Sequence, residues 1–67
     1  MKKLLRKKDV LAATGLKNST LYKYMSEGRF PKPVQITERS VAWVLSEVEA
    51  WIDARIEARD LDSRIAG

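Results

Sequence analysis

The chain has 67 residues and a net charge of +4, with 45% hydrophobic and 33% charged residues. It contains neither Cys nor His, which excludes disulfide staples and an ordinary zinc site and removes the commonest general base and the best thiol nucleophile. Catalysis, a cofactor and a bound metal are therefore not expected. The length suits one domain, residues 1–67, with a composition typical of folded soluble proteins. The longest apolar run, Val41–Leu45, is far too short to span a membrane. Met1–Lys8 has no apolar stretch behind its charges, so it does not read as a secretory signal, and the cytoplasm is the expected location.

Charge is distributed unevenly. Residues 1–43 carry ten Lys and Arg against three acids, net +7, whereas residues 44–67 carry three against six, net −3. A field of this kind on one part of a small protein attracts a polyanion.

In chain order, Lys7–Thr14 reads as a short helix with Val10, Leu11 and Thr14 at helical spacing, and Gly15 suits the left-handed position that ends it. A second helix is expected from Asn18 to Glu27, stopped by Gly28. Two helices joined by so short a Gly-containing turn form a helix-turn-helix candidate. On the second helix, Leu21, Tyr24 and Met25 make the stripe expected to be buried, while Ser19, Tyr22, Lys23 and Ser26 cluster opposite. That outer face presents hydroxyls, a phenol and an ammonium, with no carboxylate until Glu27. Such a face suits the major groove of DNA, and the helix dipole also favours phosphate at its N-terminus.

Arg29-Phe30-Pro31-Lys32-Pro33 must be extended, because its two prolines exclude helix. Val34 and Ile36, then Val41 and Trp43, alternate with polar or small residues and predict two short strands joined by a four-residue loop, Thr37–Ser40. A lone hairpin is barely stable in water, so Val34, Ile36, Val41 and Trp43 are expected to pack against the helices. Arg39 in the loop and Lys32 at the base make this hairpin a basic wing. Ser46-Glu47-Val48-Glu49 reads as a capping box that opens a third helix. Val48, Trp51, Ile52 and Ile56 supply its apolar stripe, and Glu49, Asp53, Glu57 and Asp60 line another face. The ordered core is expected over residues 4–60, with a frayed tail at 61–67.

Residues 4–59 resemble the AlpA-like family of short prophage-encoded regulators, grouped with MerR-like and excisionase-like winged-helix DNA-binding domains. The resemblance is carried by Thr14-Gly15-Leu16, Ser19-Thr20-Leu21-Tyr22, Gly28-Arg29-Phe30-Pro31-Lys32-Pro33, Arg39, Trp43 and Ser46-Glu47-Val48-Glu49-Ala50-Trp51. It implies a second helix in the major groove and a hairpin over the adjacent backbone. Ser19, Thr20, Tyr22 and Lys23 then become groove and phosphate contacts, and Arg39 a wing contact. Two positions depart from the family pattern. Lys17 stands where a capping Ser is usual, so either Asn18 caps the helix or Lys17 contacts phosphate at a frayed start. Thr37-Glu38 stand where a wing Gly is usual, and Glu38 would be repelled by phosphate.

The expected fold is mainly α with a small β-hairpin: a winged helix-turn-helix in the order helix, helix, two-stranded wing, helix. The expected function is sequence-specific binding of double-stranded DNA, without catalysis. Lys17, Asn18, Ser19, Thr20, Tyr22, Lys23, Arg29, Lys32 and Arg39 are the candidate contacts. The resemblance implies control of a mobile element, as a transcriptional activator of integrase or excisionase genes or as a recombination directionality factor. One recognition helix reads few base pairs, so several copies side by side on DNA are expected, and an integrase is the further partner the resemblance implies. The competing reading is a protein-interaction module, antirepressor or adaptor, that uses the acidic third helix.

Overall fold

Helix α1 spans Lys7–Thr14 and buries Val10 completely. It ends where Gly15 adopts φ 75° and donates its N–H to the Leu11 carbonyl at 2.8 Å, the simple left-handed stop. Helix α2 follows after three residues, at Asn18–Ser26, with Leu21 wholly buried. Its stop is fuller. Gly28 at φ 72° donates to Met25 O and Arg29 donates to Tyr24 O, the paired bonds of a Schellman motif. Apart from Gly15 itself and its two chain neighbours, no atom of the described residues lies within 4 Å of a Cβ added there, so Gly15→Ala should cost only the backbone term, about 1–2 kcal/mol. Urea unfolding would measure this. A loss well above that range would mean that packing, not φ, selects glycine there.

The coordinates, a computed structural model, describe the backbone of residues 2–66 and side chains through Asp62. Besides the two helices they contain β1 (Leu4–Leu5), β2 (Val34–Thr37), β3 (Ser40–Val44) and α3 (Leu45–Ala66). The antiparallel sheet has the order β1-β3-β2. Together these elements form a winged helix-turn-helix, as the sequence predicts, with one strand more than expected. Two residues carry too little pattern to announce β1. Its role is architectural: Leu5 pairs opposite Trp43, and Lys3 O accepts the Leu45 N–H at 2.8 Å.

That last bond explains a second difference. Helix α3 begins at Leu45, so Ser46 lies inside the first turn and the expected capping box does not form. Backbone from the β1 segment satisfies one of the orphan amides instead. At its other end α3 continues past Leu61 through Ala66, a stretch with no Gly or Pro to stop it, while Gly67 lies outside the described residues.

The core is Val10, Leu21, Phe30, Trp43 and Val48, with Leu5, Leu11, Leu16, Tyr24, Met25, Trp51 and Ile52 packed around it. Both tryptophans also hold the proline-containing loop in place. Trp43 Nε1 donates to Pro31 O at 3.1 Å and Trp51 Nε1 donates to Arg29 O at 2.8 Å. Phe30 meets the Trp51 ring edge-on, with centroids 4.9 Å apart.

The hairpin departs from expectation in two linked ways. Its loop is a two-residue turn, Glu38-Arg39, rather than four residues. Primed turns need positive φ, which no non-Gly residue here adopts, and the register instead shifts between Gln35 and Thr37 as a bulge. In the resulting pairing, Val34 faces Ala42 and Gln35 faces Val41. Cross-strand partners share a face, so the apolar residues of the two strands fall on opposite sides of the sheet. Trp43 alone of the four is buried; Val34, Ile36 and Val41 are 40–48% exposed. Strand β3 packs against α1 and α3, whereas β2 lies at the edge with all four residues exposed. Ile56 also proves exposed, because α3 has run past the core by that turn.

Candidate nucleic-acid interface

The stop at Gly15 and the burial of Val10 and Leu21 fix how α2 is presented. Thr14 Oγ1 donates to Val10 O at 2.8 Å and accepts the Leu16 N–H at 3.3 Å, which ties the turn to the end of α1. With Leu21 inward, Ser19, Tyr22, Lys23 and Ser26 are all exposed on the outer face. Asn18, exposed, and Thr20, half-buried, lie on its two flanks. Ser26 Oγ donates to Lys23 O at 2.7 Å, so its proton is committed within the helix.

The start of α2 answers the question raised by Lys17. Lys17 occupies the cap position in extended conformation without a side-chain cap bond, and Asn18 is already the first helical residue. The earliest backbone bond of the helix runs from Leu21 N–H to Lys17 O at 2.9 Å. The amides of Asn18, Ser19 and Thr20 therefore have no acceptor among the described residues. An exposed lysine at a free helix N-terminus favours an anion both by charge and by oriented amides.

The other candidate cations divide into two groups. Lys17, Lys23, Lys32 and Arg39 are exposed and form no ion pair among the described residues. Arg39 sits at the tip of the hairpin, where its N–H donates to Thr37 Oγ1 at 3.3 Å. Lys32 stands at the hairpin base. Arg29 is engaged within the molecule: its guanidinium lies 4.9 Å from the Tyr24 ring centroid and 3.4 Å from Glu27. Tyr24 is on the flank of α2 away from Tyr22 and Lys23, so the structure does not bring Arg29 onto the outer face.

One neighbour of that face escapes a reading by elements. Lys7, at the start of α1, holds its ammonium 5.6 Å from the centroid of the Tyr22 ring. Periodicity within single helices carries no such signal, because the contact depends on how α1 and α2 cross.

The arrangement offers hydrogen-bonding side chains on an uncharged-to-basic helix face, a free helix N-terminus and a hairpin tip where exposed Arg39 stands beside exposed Glu38. No group of acidic side chains among the described residues could hold a metal ion. No helix among them is long and apolar enough to cross a membrane. Residues 3–56 match the family described as Prophage CP4-57 regulatory protein (AlpA). A protein of Enterobacteria phage P4, described as uncharacterized protein ORF88, is 40% identical over 57 residues. That alignment covers 85% of this chain and 65% of the phage protein's length.

Proposed function

We propose a DNA-binding role, because the chain belongs to the AlpA family of prophage regulatory proteins and presents a helix face suited to a groove. The protein binds double-stranded DNA in a sequence-dependent way and performs no catalysis. Helix α2 enters the major groove, Ser19, Thr20 and Tyr22 meet base edges or sugar, and Lys17, Asn18 and Lys23 meet phosphate. The hairpin lies over the neighbouring backbone, with Arg39 and Lys32 on phosphate. The observation that carries this reading is the acid-free outer face of α2, where Lys23, with Lys17 at the helix start, is exposed and forms no ion pair among the described residues. The regulated element is a prophage or an integrative relative. The protein acts in the cytoplasm either by activating integrase or excisionase genes or by shaping attachment-site DNA beside an integrase. Both roles use one surface.

A single domain with one recognition helix reads few base pairs, and each mismatch discriminates by only about 1–3 kcal/mol. Several copies therefore bind adjacent half-sites. Footprinting at saturation should show more than one protected half-site, and protection of just one would contradict this.

The two arginines near the face provide a matched test. Arg39→Ala removes a phosphate contact and should lower the slope of log K against log salt by about 1. Arg29→Ala, whose guanidinium is occupied by Tyr24 and Glu27, should leave that slope unchanged. Fluorescence anisotropy on a bound site at four salt concentrations measures both. An unchanged slope in Arg39→Ala would remove the wing from the interface.

A further inference from the structure

Both tyrosines of α2 have a cation at the ring, and the two cations come from different parts of the chain. Arg29, just after α2, lies 4.9 Å from the ring centroid of half-buried Tyr24. Lys7, on α1, holds its ammonium 5.6 Å from the centroid of Tyr22 on the outer face. Only the second pair stands on the face assigned to the groove.

The contact follows from the packing of α1 on α2. Val10 and Leu21 are wholly buried in one core and fix how the two helices cross. Lys7 stands one turn before Val10, hence on the same side of α1, and Tyr22 follows Leu21 directly. Helix chemistry gives no reason for a lysine at this position. Lys7 is the first residue of α1, where the macrodipole favours an anion and disfavours a cation. It is exposed and forms no ion pair among the described residues, although Asp9 lies in the same turn. Its ammonium meets the Tyr22 ring instead.

Tyr22 is 50% exposed, so packing restrains its ring only in part. A loosely held side chain loses rotamer freedom when it docks, and in several orientations it discriminates poorly between base pairs. A cation held beside the ring narrows those orientations before DNA arrives.

We propose that Lys7 is a positioning residue for sequence readout, holding the Tyr22 ring in the orientation in which Tyr22 discriminates between base pairs. This role rests on the DNA-binding reading of α2. It differs from a phosphate contact, which strengthens binding to every sequence alike. Lys7 sharpens the choice among sites by acting through Tyr22.

Two measurements test this, and the first contains no DNA. In protein carrying 13C-labelled lysine, the Tyr22 ring current should move the Lys7 ε-methylene protons upfield of a free lysine's, and Tyr22→Leu should abolish the shift. Unshifted Lys7 protons would overturn the proposal. The second uses a duplex selected by the protein from a random-sequence library, together with every single base-pair variant of that duplex. Lys7→Gln, of similar helix propensity, should relax preference at the same base pair as Tyr22→Leu. The expected relaxation is roughly two- to fivefold, the scale of a cation–ring contact at an exposed site. Lys7→Arg should restore the preference, and the double variant should relax it no further than Tyr22→Leu alone. An equal loss on all duplexes with a salt slope lower by about 1 would make Lys7 a phosphate contact and overturn the proposal. So would relaxation at a different base pair, or none in Lys7→Gln or in Tyr22→Leu. If the parent protein binds every duplex alike, the DNA-binding reading fails and this role with it, while the lysine shift stands unchanged.

Discussion

Trp43→Ala should leave little folded protein at ambient temperature. Trp43 is 1% exposed, sits at the centre of the core on β3 and donates its indole N–H to Pro31 O. Truncating a buried Trp typically costs about 3–5 kcal/mol, while a domain of this length has roughly 3–10 kcal/mol in all, at about 0.05–0.15 kcal/mol per residue. The cost is expected at the upper end, because the Pro31 carbonyl loses its donor along with the packing. Trp43→Phe keeps most of the ring volume and should lose less. Urea titrations followed by circular dichroism would rank the three proteins. A Trp43→Ala protein with a normal midpoint would contradict the core described above.

Lys23→Glu should produce the largest loss of DNA affinity without loss of fold. Lys23 is exposed on the outer face of α2 and pairs with no acid among the described residues. On the proposed reading its removal deletes a phosphate contact, and the introduced carboxylate adds repulsion in a groove of concentrated negative charge. At moderate salt the expected loss is at least about tenfold, with the salt slope reduced by about 1 or more. Lys23→Ala should show a smaller loss with the same slope change. Ser19→Ala, on the same face but uncharged, should instead alter preference among sites and leave the slope alone. If Lys23→Glu binds as the parent does, α2 is not the groove helix. Circular dichroism on the same samples separates this from unfolding.

The helical part of the fold was legible because each stop has a chemical marker. Gly15 and Gly28 supply the two left-handed positions, and Leu21 with its neighbours repeats at helical spacing. The hairpin was legible as two strands but not in its register. Val34, Ile36, Val41 and Trp43 alternate within each strand, yet alternation says nothing about which residues of the two strands pair. The bulge near Ile36 decided that, and it put Val34 and Val41 on opposite faces. Ser46 failed as a cap for a related reason. A strand that pairs with β3 from residues 4–5 delivers the Lys3 carbonyl to the helix start, and two residues cannot advertise such a contact. On the candidate interface, the outer face of α2 followed from period alone. The positions of Arg29 and Lys7 required the tertiary structure, since each is set by a tyrosine on α2, Tyr24 for Arg29 and Tyr22 for Lys7.

The central claim is that the acid-free face of α2 reads DNA, and sequencing of captured genomic fragments tests it most directly. Purified protein would be incubated with fragmented host DNA at moderate and at raised salt, and the retained fragments sequenced. The account predicts a few enriched sites that persist at raised salt, built from repeated or inverted half-sites and located at a promoter or an attachment site. Uniform recovery that vanishes with salt would contradict it, leaving only a basic surface that attracts phosphate.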